Sequence, residues 1–162
     1  MSIQSHRVGP LLAAGALTLG AQLCLQSAAF ANLGGDVKSV SADRQIMQGR
    51  LQSTPTGQYI LHEITTSGGT LIREYETPQG RIFAVTWKGP LPPNLQQLFG
   101  SYYNQFQSAA AASAQAHPGM HRQLSIAQPD FVMQALGRMR AFHGKAYIPS
   151  LVPAGISVAD LP

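Results

Sequence analysis

The sequence has a single cysteine, Cys24, among its 162 residues. It lies in an apolar N-terminal stretch, and the rest of the chain contains no other. A region without cysteine has no disulfide, no thiol nucleophile and no thiolate metal site. Its stability must come from a hydrophobic core, which a region of about 130 residues is long enough to form.

Charged side chains are also scarce, since Asp, Glu, Lys and Arg together make up 11% of the chain. After residue 31, ten Lys and Arg stand against seven Asp and Glu, and the basic residues are scattered. A nucleic-acid-binding protein usually shows a clustered basic stripe. We therefore expect no nucleic-acid partner, and we expect most charges to lie on a solvated surface.

The chain also lacks an uninterrupted apolar run. Residues 8–25 are mostly apolar, but Pro10, Gly15 and Gly20 interrupt them, and a membrane-spanning helix needs about 20 strongly apolar residues. A weakly basic start precedes this stretch, and Ala29-Phe30-Ala31 follows it, which is the pattern of a cleavable signal peptide. The prediction is a signal peptide over residues 1–31 and one exported domain over residues 32–162. The product would be periplasmic or secreted, without stable membrane insertion after cleavage.

Three strands are predicted in the middle of the chain. Residues 59–65, 70–76 and 81–87 are rich in aromatic and β-branched residues, and two short turns ending in Gly69 and Gly80 separate them. This pattern predicts an antiparallel meander. If each turn has three residues, the pairs across the strands are Glu63 with Arg73, Ile64 with Ile72, Tyr75 with Phe83, and Leu71 with Trp87.

The two faces of this meander differ in composition. In the predicted register, one face is the core face and also carries Glu63 and Arg73. Its apolar members are Tyr59, Leu61, Leu71, Tyr75, Phe83, Val85 and Trp87.

A helix is predicted over residues 94–114, because Leu95, Leu98, Phe99, Tyr102 and Phe106 recur at helical spacing. A shorter helix is predicted over residues 41–51. Further strands are expected within residues 125–136, 138–142 and 145–148, with a turn or bulge at His143-Gly144. The predicted fold is α+β, with an antiparallel sheet of about five strands and one long amphipathic helix packed on one face.

No catalytic signature is present, and the sequence indicates neither a cofactor nor a metal. His62-Glu63 lacks the second histidine of a zincin motif, since position 66 is threonine, and a strand would point the two side chains to opposite faces. His117 and His121 have a spacing that suits metal ligands on a helix, but Pro118 and Gly119 between them favour a loop. No catalytic residues are assigned.

The candidate binding residues form two groups. Glu63 and Arg73 are either a structural ion pair that fixes the strand register or a polar anchor in an aromatic pocket with Tyr59, Tyr75 and Trp87. The second group concentrates positive charge near one strand and its turn. It is either a solvated strand face or an anion site, and its members are Arg138, Arg140 and His143.

Several short strings resemble a family of small exported proteobacterial proteins catalogued as domain of unknown function 2844. The resemblance spans nearly all of residues 32–162 and implies one complete exported domain. It implies no activity and no catalytic residues. The strings include Leu33-Gly34-Gly35-Asp36, Gly69-Thr70-x-x-Arg73-Glu74-Tyr75, Phe83-Ala84-Val85-x-Trp87 and Met139-Arg140-Ala141-Phe142-x-Gly144.

Two classes of function remain after these observations. The first is a non-enzymatic envelope module that binds an envelope protein or a small anionic ligand. The second is a hydrolase-like enzyme with an unrecognised site. A histidine within reach of a serine and a carboxylate would favour the enzyme, whereas an aromatic groove or an exposed apolar patch would favour the binding module.

Overall fold

The computed structural model describes residues 33–116 and 123–161, which form three α-helices and one antiparallel sheet of seven strands. The helices are α1 (Val37–Ile46), α2 (Leu95–Phe99) and α3 (Tyr103–Ala116). The strands are β1 (Arg50–Pro55), β2 (Ile60–Thr65), β3 (Leu71–Glu76), β4 (Ile82–Gly89), β5 (Gln123–Ala127), β6 (Val132–Arg138) and β7 (Ala141–Tyr147). Their order across the sheet is β1-β2-β3-β4-β7-β6-β5. The α+β class is confirmed, but the prediction of about five strands was wrong.

The first helix and first strand differ most from the prediction. α1 begins four residues earlier than expected, because the Asp36 side chain accepts a hydrogen bond from the Lys38 backbone N–H at 2.9 Å and caps it. The helix ends before Gln48 and Gly49, where the chain turns into β1. Pro55 is the last residue of β1, and proline is tolerated there because β1 lies at the sheet edge.

The two central hairpins differ in how well their register was predicted. In the β2–β3 hairpin, Glu63 faces Arg73 and Ile64 faces Ile72, as expected. In the β3–β4 hairpin, a bulge shifts the pairing, so that Tyr75 faces Ala84 and Ile72 faces Trp87. The predicted pairs of Tyr75 with Phe83 and Leu71 with Trp87 were therefore wrong. A bulge adds one residue to one strand, so the following residues of β4 change faces.

The bulge also decides which face of the sheet meets the helices. The helix-side face carries Ile64, Ile72, Val85 and Trp87, which pack with residues of α1 and α2 in the main core. The opposite face carries Tyr75 and Phe83, which the predicted register placed on one core face together with Val85 and Trp87. The C-terminal segment covers this second cluster instead, through Leu151, Val152, Ile156 and Leu161.

The predicted long helix is present but interrupted. Asn94 caps α2 by accepting a hydrogen bond from the Gln97 backbone N–H at 3.2 Å. At Gly100 the chain passes through a short 3₁₀ turn, Gly100–Tyr102, before α3 begins. Leu98 and Phe99 are fully buried, and Phe99 contacts the rings of Trp87, Phe106 and Phe131 at centroid distances of 5.3 to 6.0 Å. The helical stripe therefore packs on the sheet as predicted. It packs on the face that carries Ile64, Ile72 and Trp87, and not on the face that carries Tyr75 and Phe83.

The shorter strands near the C-terminus form one meander. β5 pairs with β6, and β6 pairs with β7 through a two-residue turn, since Arg138 faces Ala141. His143 and Gly144, predicted as a turn or bulge, lie in the middle of β7. Gly144 is required there, because an added Cβ would lie 2.4 Å from Cζ2 of Trp87 on the neighbouring strand.

Candidate functional site

The sheet face opposite the helices carries a row of polar side chains at one level across all seven strands. Its centre is Arg73 on β3, which faces Glu63 on one side and Thr86 on the other. Alternation along the strands places these side chains on the same face. From edge to edge the row is Gln52, Glu63, Arg73, Thr86, Lys145, Gln134 and Ser125.

Glu63 and Arg73 form an ion pair in this row. Nε of Arg73 donates to Oε1 of Glu63 at 2.8 Å, and the two side chains remain 26% and 29% exposed for Arg73 and Glu63 respectively. The contact uses the Nε edge of the guanidinium and one carboxylate oxygen. A partly exposed pair of this kind contributes little to folding, about 0.2–1 kcal/mol.

The aromatic residues that were expected to surround this pair divide between the two faces. Tyr59 and Tyr75 lie on the same face as the pair, with ring centroids 5.5 Å apart, but their cluster is covered by the C-terminal segment. Burial raises the pKa of the Tyr75 phenol above its usual value. The Trp87 ring lies on the helix side, where it contacts Phe99. The structure thus does not bring the Trp87 ring together with Tyr59 and Tyr75, because the bulge in β4 reverses the face on which this ring lies.

We call the sheet face opposite the helices the open face. A groove on this face brings cationic side chains and leucines together. Its volume is about 240 Å³. Arg73, Lys88 and Lys145 line it with the imidazole of His143, and Nζ of Lys145 donates to the Val158 backbone oxygen at 3.4 Å. Its apolar walls are Leu71, Leu136 and Leu161. Glu63 is ion-paired with Arg73, one of the residues that line the groove.

A second, wider recess of about 760 Å³ lies at the turn between α1 and β1. Arg44 and Arg50 line it with Thr65, Thr66 and Leu51. It has one leucine where the groove has three, and it is more open to solvent. We therefore take the groove at Arg73 as the candidate site, since small-ligand sites combine apolar walls with a few placed polar groups.

The second predicted cluster lies at the end of the same face. His143 lines the groove, directly across from Lys88 on β4 and Leu136 on β6. Arg138 ends β6 and Arg140 lies in the turn that follows, with both side chains exposed. The structure thus brings His143 into the groove with Arg73, while Arg138 and Arg140 lie beyond it at the hairpin tip.

A chain of three polar residues on the helix-side face was not predicted as a site. Ser53 Oγ lies 2.8 Å from Nδ1 of His62, and Nε2 of His62 lies 2.7 Å from Oε2 of Glu76. His62 and Glu76 are buried, whereas Ser53 is exposed on the edge strand β1. Serine, imidazole and carboxylate also follow this order in the relay that activates a hydroxyl nucleophile, but there the serine contacts Nε2 and the acid contacts Nδ1. A signal existed in the alternation of β2 and β3, which places His62 and Glu76 on one face, but the strand β1 that supplies Ser53 was missed.

A second buried polar group lies beside this relay. Asp43 of α1 is hydrogen-bonded to Glu74 of β3, and Nε2 of Gln97 in α2 donates to Oδ1 of Asp43. Asp43 is 0% and Glu74 1% exposed. Burial, followed by the neighbouring Asp43 carboxylate, raises the pKa of Glu74 well above its usual range. A hydrogen bond between two carboxyl groups needs a proton on one of them, and the raised pKa of Glu74 favours this side chain as the proton donor.

Two further properties of the described residues bear on function. Within residues 33–116 and 123–161, no group of three or more His, Cys, Asp or Glu is placed to hold a metal ion. His117 and His121 lie outside these residues. In the part of the chain that the structure describes, no helix combines the length and apolar character needed to cross a membrane.

Comparison with known proteins adds a family match. A family model described as "Protein of unknown function (DUF2844)" matches residues 29–161. The comparison with curated proteins found no match. The comparison with solved structures found none either.

Proposed function

Since the chain belongs to the DUF2844 family, whose function is unknown, we propose from its geometry that it is an exported module that binds a small amphipathic anion. The observation that carries this proposal is the groove of about 240 Å³, in which Arg73, Lys88 and Lys145 surround leucine walls. The cations would hold a carboxylate or phosphate, and the leucines would hold an apolar body.

The charge balance of the groove supports an anionic ligand. Glu63 contacts Nε of Arg73 through one oxygen, and Lys145 makes one long contact to a backbone oxygen. Two lysines and one arginine thus line the groove, and Glu63 is ion-paired with the arginine. Their aliphatic stems add apolar surface next to Leu71 and Leu136. A ligand with one anionic end and one apolar end matches both parts.

Binding of decanoate to the protein of residues 32–162, measured by calorimetry, tests this proposal. Arg73→Met and Lys145→Met should each weaken binding at least five-fold, while Lys38→Gln, an equal charge loss on α1, should leave it unchanged. Decanoic acid methyl ester, which lacks the charge, should bind much more weakly. Equal binding by the acid and the ester, or by all variants, would remove the groove as an anion site.

Export is the second part of the proposal, and it is supported by the apolar start and by Ala29-Phe30-Ala31. Mass spectrometry of the protein recovered from its native host should find Asn32 at the N-terminus. A product that retains residues 1–31, or one carrying a lipid on Cys24, would contradict it.

A second candidate function is acyl hydrolysis, because Ser53, His62 and Glu76 form a relay with contacts of 2.8 and 2.7 Å. Here Nδ1 faces the serine and Nε2 faces the acid. A fluorophosphonate probe should label Ser53 if this relay activates the hydroxyl, and Ser53→Ala and His62→Gln should abolish labelling. Labelling no faster than that of Ser150, an exposed serine outside the relay, would leave the relay with a structural role only.

A further inference from the structure

The turn between β6 and β7 combines two features that folding does not require. Met139 is 93% exposed, the highest value among the exposed large apolar side chains of the described residues. Arg140, its neighbour, has a backbone φ of +59°, in the left-handed region that favours glycine. A turn selected only for folding would place a polar residue at the first position and glycine or asparagine at the second.

The surroundings of this turn are strongly basic. Arg138 and Arg140 flank Met139. Lys88 of β4 faces His143 of β7, which lies two residues after Ala141, the first residue of that strand. Between Glu76 and Asp160 the sequence contains six Lys and Arg but one acid, Asp130. Asp130 precedes β6 at its far end, and a seven-residue strand at about 3.3 Å per residue places it roughly 20 Å from the turn.

Exposed apolar groups continue from the turn along the same end of the sheet. Leu136, 41% exposed, lies two residues before Arg138 on the groove side. On the helix side, Phe142 lies beside Pro92 and Pro93, and Leu91, 55% exposed, lies just before these prolines. We define the basic tip as Leu136, Arg138, Met139, Arg140 and His143, with Lys88 and Leu91 at its border.

We propose that the basic tip docks on the surface of an anionic lipid bilayer, with the Met139 side chain inserted between headgroups. Exposed methionine flanked by arginines suits the interface, since the apolar side chain enters the acyl boundary while the guanidinium groups contact phosphates. The tip consists of a few residues around one hairpin turn, whereas a stable protein–protein interface needs about 1,000 Å² of complementary surface. A layer of lipid headgroups can deform around such a tip.

This docking surface shares Leu136, His143 and Lys88 with the groove proposed for the ligand. The two proposals are therefore tested at residues that they do not share. If Arg73→Met loses decanoate binding and retains vesicle binding, the groove is not needed for docking on the bilayer. If Met139→Ser loses vesicle binding and retains decanoate binding, the tip is not needed for the ligand in the groove.

The test is sedimentation of the protein of residues 32–162 with vesicles of phosphatidylcholine alone or with an equal part of phosphatidylglycerol. Binding should need the anionic lipid and fall as salt is raised, because exposed charges are screened. Each arginine removed from the tip should lower the affinity about five-fold. Arg138→Gln should show this loss, and Lys38→Gln, which removes one charge near the start of α1, should not.

Two variants keep the result interpretable if folding changes. Arg140→Gly relieves the positive φ and should unfold at a higher temperature than the wild type while binding vesicles more weakly. Met139→Ser should leave the melting temperature unchanged and reduce binding, whereas Val37→Ser, a similar change at the start of α1, should not reduce it. Equal binding to both vesicle types, or unchanged binding in Arg140→Gly and Met139→Ser, would overturn the proposal. Binding of the tip to an acidic protein but not to anionic vesicles would overturn it as well.

Discussion

The helix-side face of the sheet has two halves that differ in their buried polar groups. Under α2 and α3, Phe99 contacts Trp87, Phe106 and Phe131 in an aromatic core. Where α1 meets the other half, two buried polar pairs, His62 with Glu76 and Glu74 with Asp43, lie among apolar side chains. Apolar burial stabilises wherever shapes fit, whereas a buried polar group stabilises only when it has a suitable partner. The first half should therefore supply stability, and the second should make stability depend on particular partners and on pH.

The largest effect is expected in the aromatic half. Phe99→Ala removes a fully buried ring with three aromatic neighbours and should lower the free energy of unfolding by about 3–5 kcal/mol. Urea unfolding at neutral pH measures it, with Met139→Ala as an exposed control that should change stability by less than about 0.5 kcal/mol. A loss under about 1 kcal/mol for Phe99→Ala would mean that the helices contribute little to the core.

In the polar half, breaking the pair of His62 and Glu76 should cost less. Glu76→Leu leaves Nε2 of His62 buried without its partner, which costs about 1–3 kcal/mol. The double change His62→Leu with Glu76→Leu should recover part of this loss, because both polar groups are then gone. Additive losses would show that the two side chains do not stabilise each other, and the contrast between the halves would weaken.

The carboxyl pair of Glu74 and Asp43 should make the polar half sensitive to pH. Since the folded-state pKa of Glu74 is raised, its contribution is complete below the unfolded-state pKa and is lost as pH rises through the folded-state value. The wild type should lose stability from mildly acid to alkaline pH. Glu74→Gln should differ from it by under about 1 kcal/mol at acid pH and show a flatter profile. His62 and Glu76 are unchanged in both proteins. If stability depended on pH in the same way in the wild type and in Glu74→Gln, Glu74 would not be the source of the pH dependence.

The smallest effect on stability is expected for the ion pair of Glu63 and Arg73 on the open face. Because this pair is partly exposed to solvent, it can be compared with the buried polar pairs. Glu63→Gln and Arg73→Met should each change the free energy of unfolding by about 0.2–1 kcal/mol. The double variant should recover part of any loss if the two charges interact. Thermal unfolding of the three variants measures the coupling. A loss of free energy of unfolding as large as that of Glu76→Leu would show that the exposed pair stabilises the fold as much as the buried pair of His62 and Glu76 does.

Part of the candidate site was predictable from sequence. The pairing of Glu63 with Arg73 followed from turn length and from opposite charges, which are local properties of the β2–β3 hairpin. The position of Trp87 was not predictable in the same way, because the bulge in β4 has no clear sequence signal and reverses the face of every later residue. The groove also needs Lys145 of β7 and Leu161, which lie over 70 residues from Arg73 and reach it only through the fold.

By itself the sequence determined the α+β class, the β2–β3 register, the amphipathic stripe around Phe99 and the membership of the DUF2844 family. These depend on periodicity, turn residues and cross-strand pairs, which act between neighbours in the chain. Only the tertiary structure decided that the sheet has seven strands, that the C-terminal segment covers Tyr75, and that Ser53, His62 and Glu76 meet. Weak strands such as β1 gain their stability from a partner strand, and buried polar groups gain theirs from distant partners, so neither is visible in local preference.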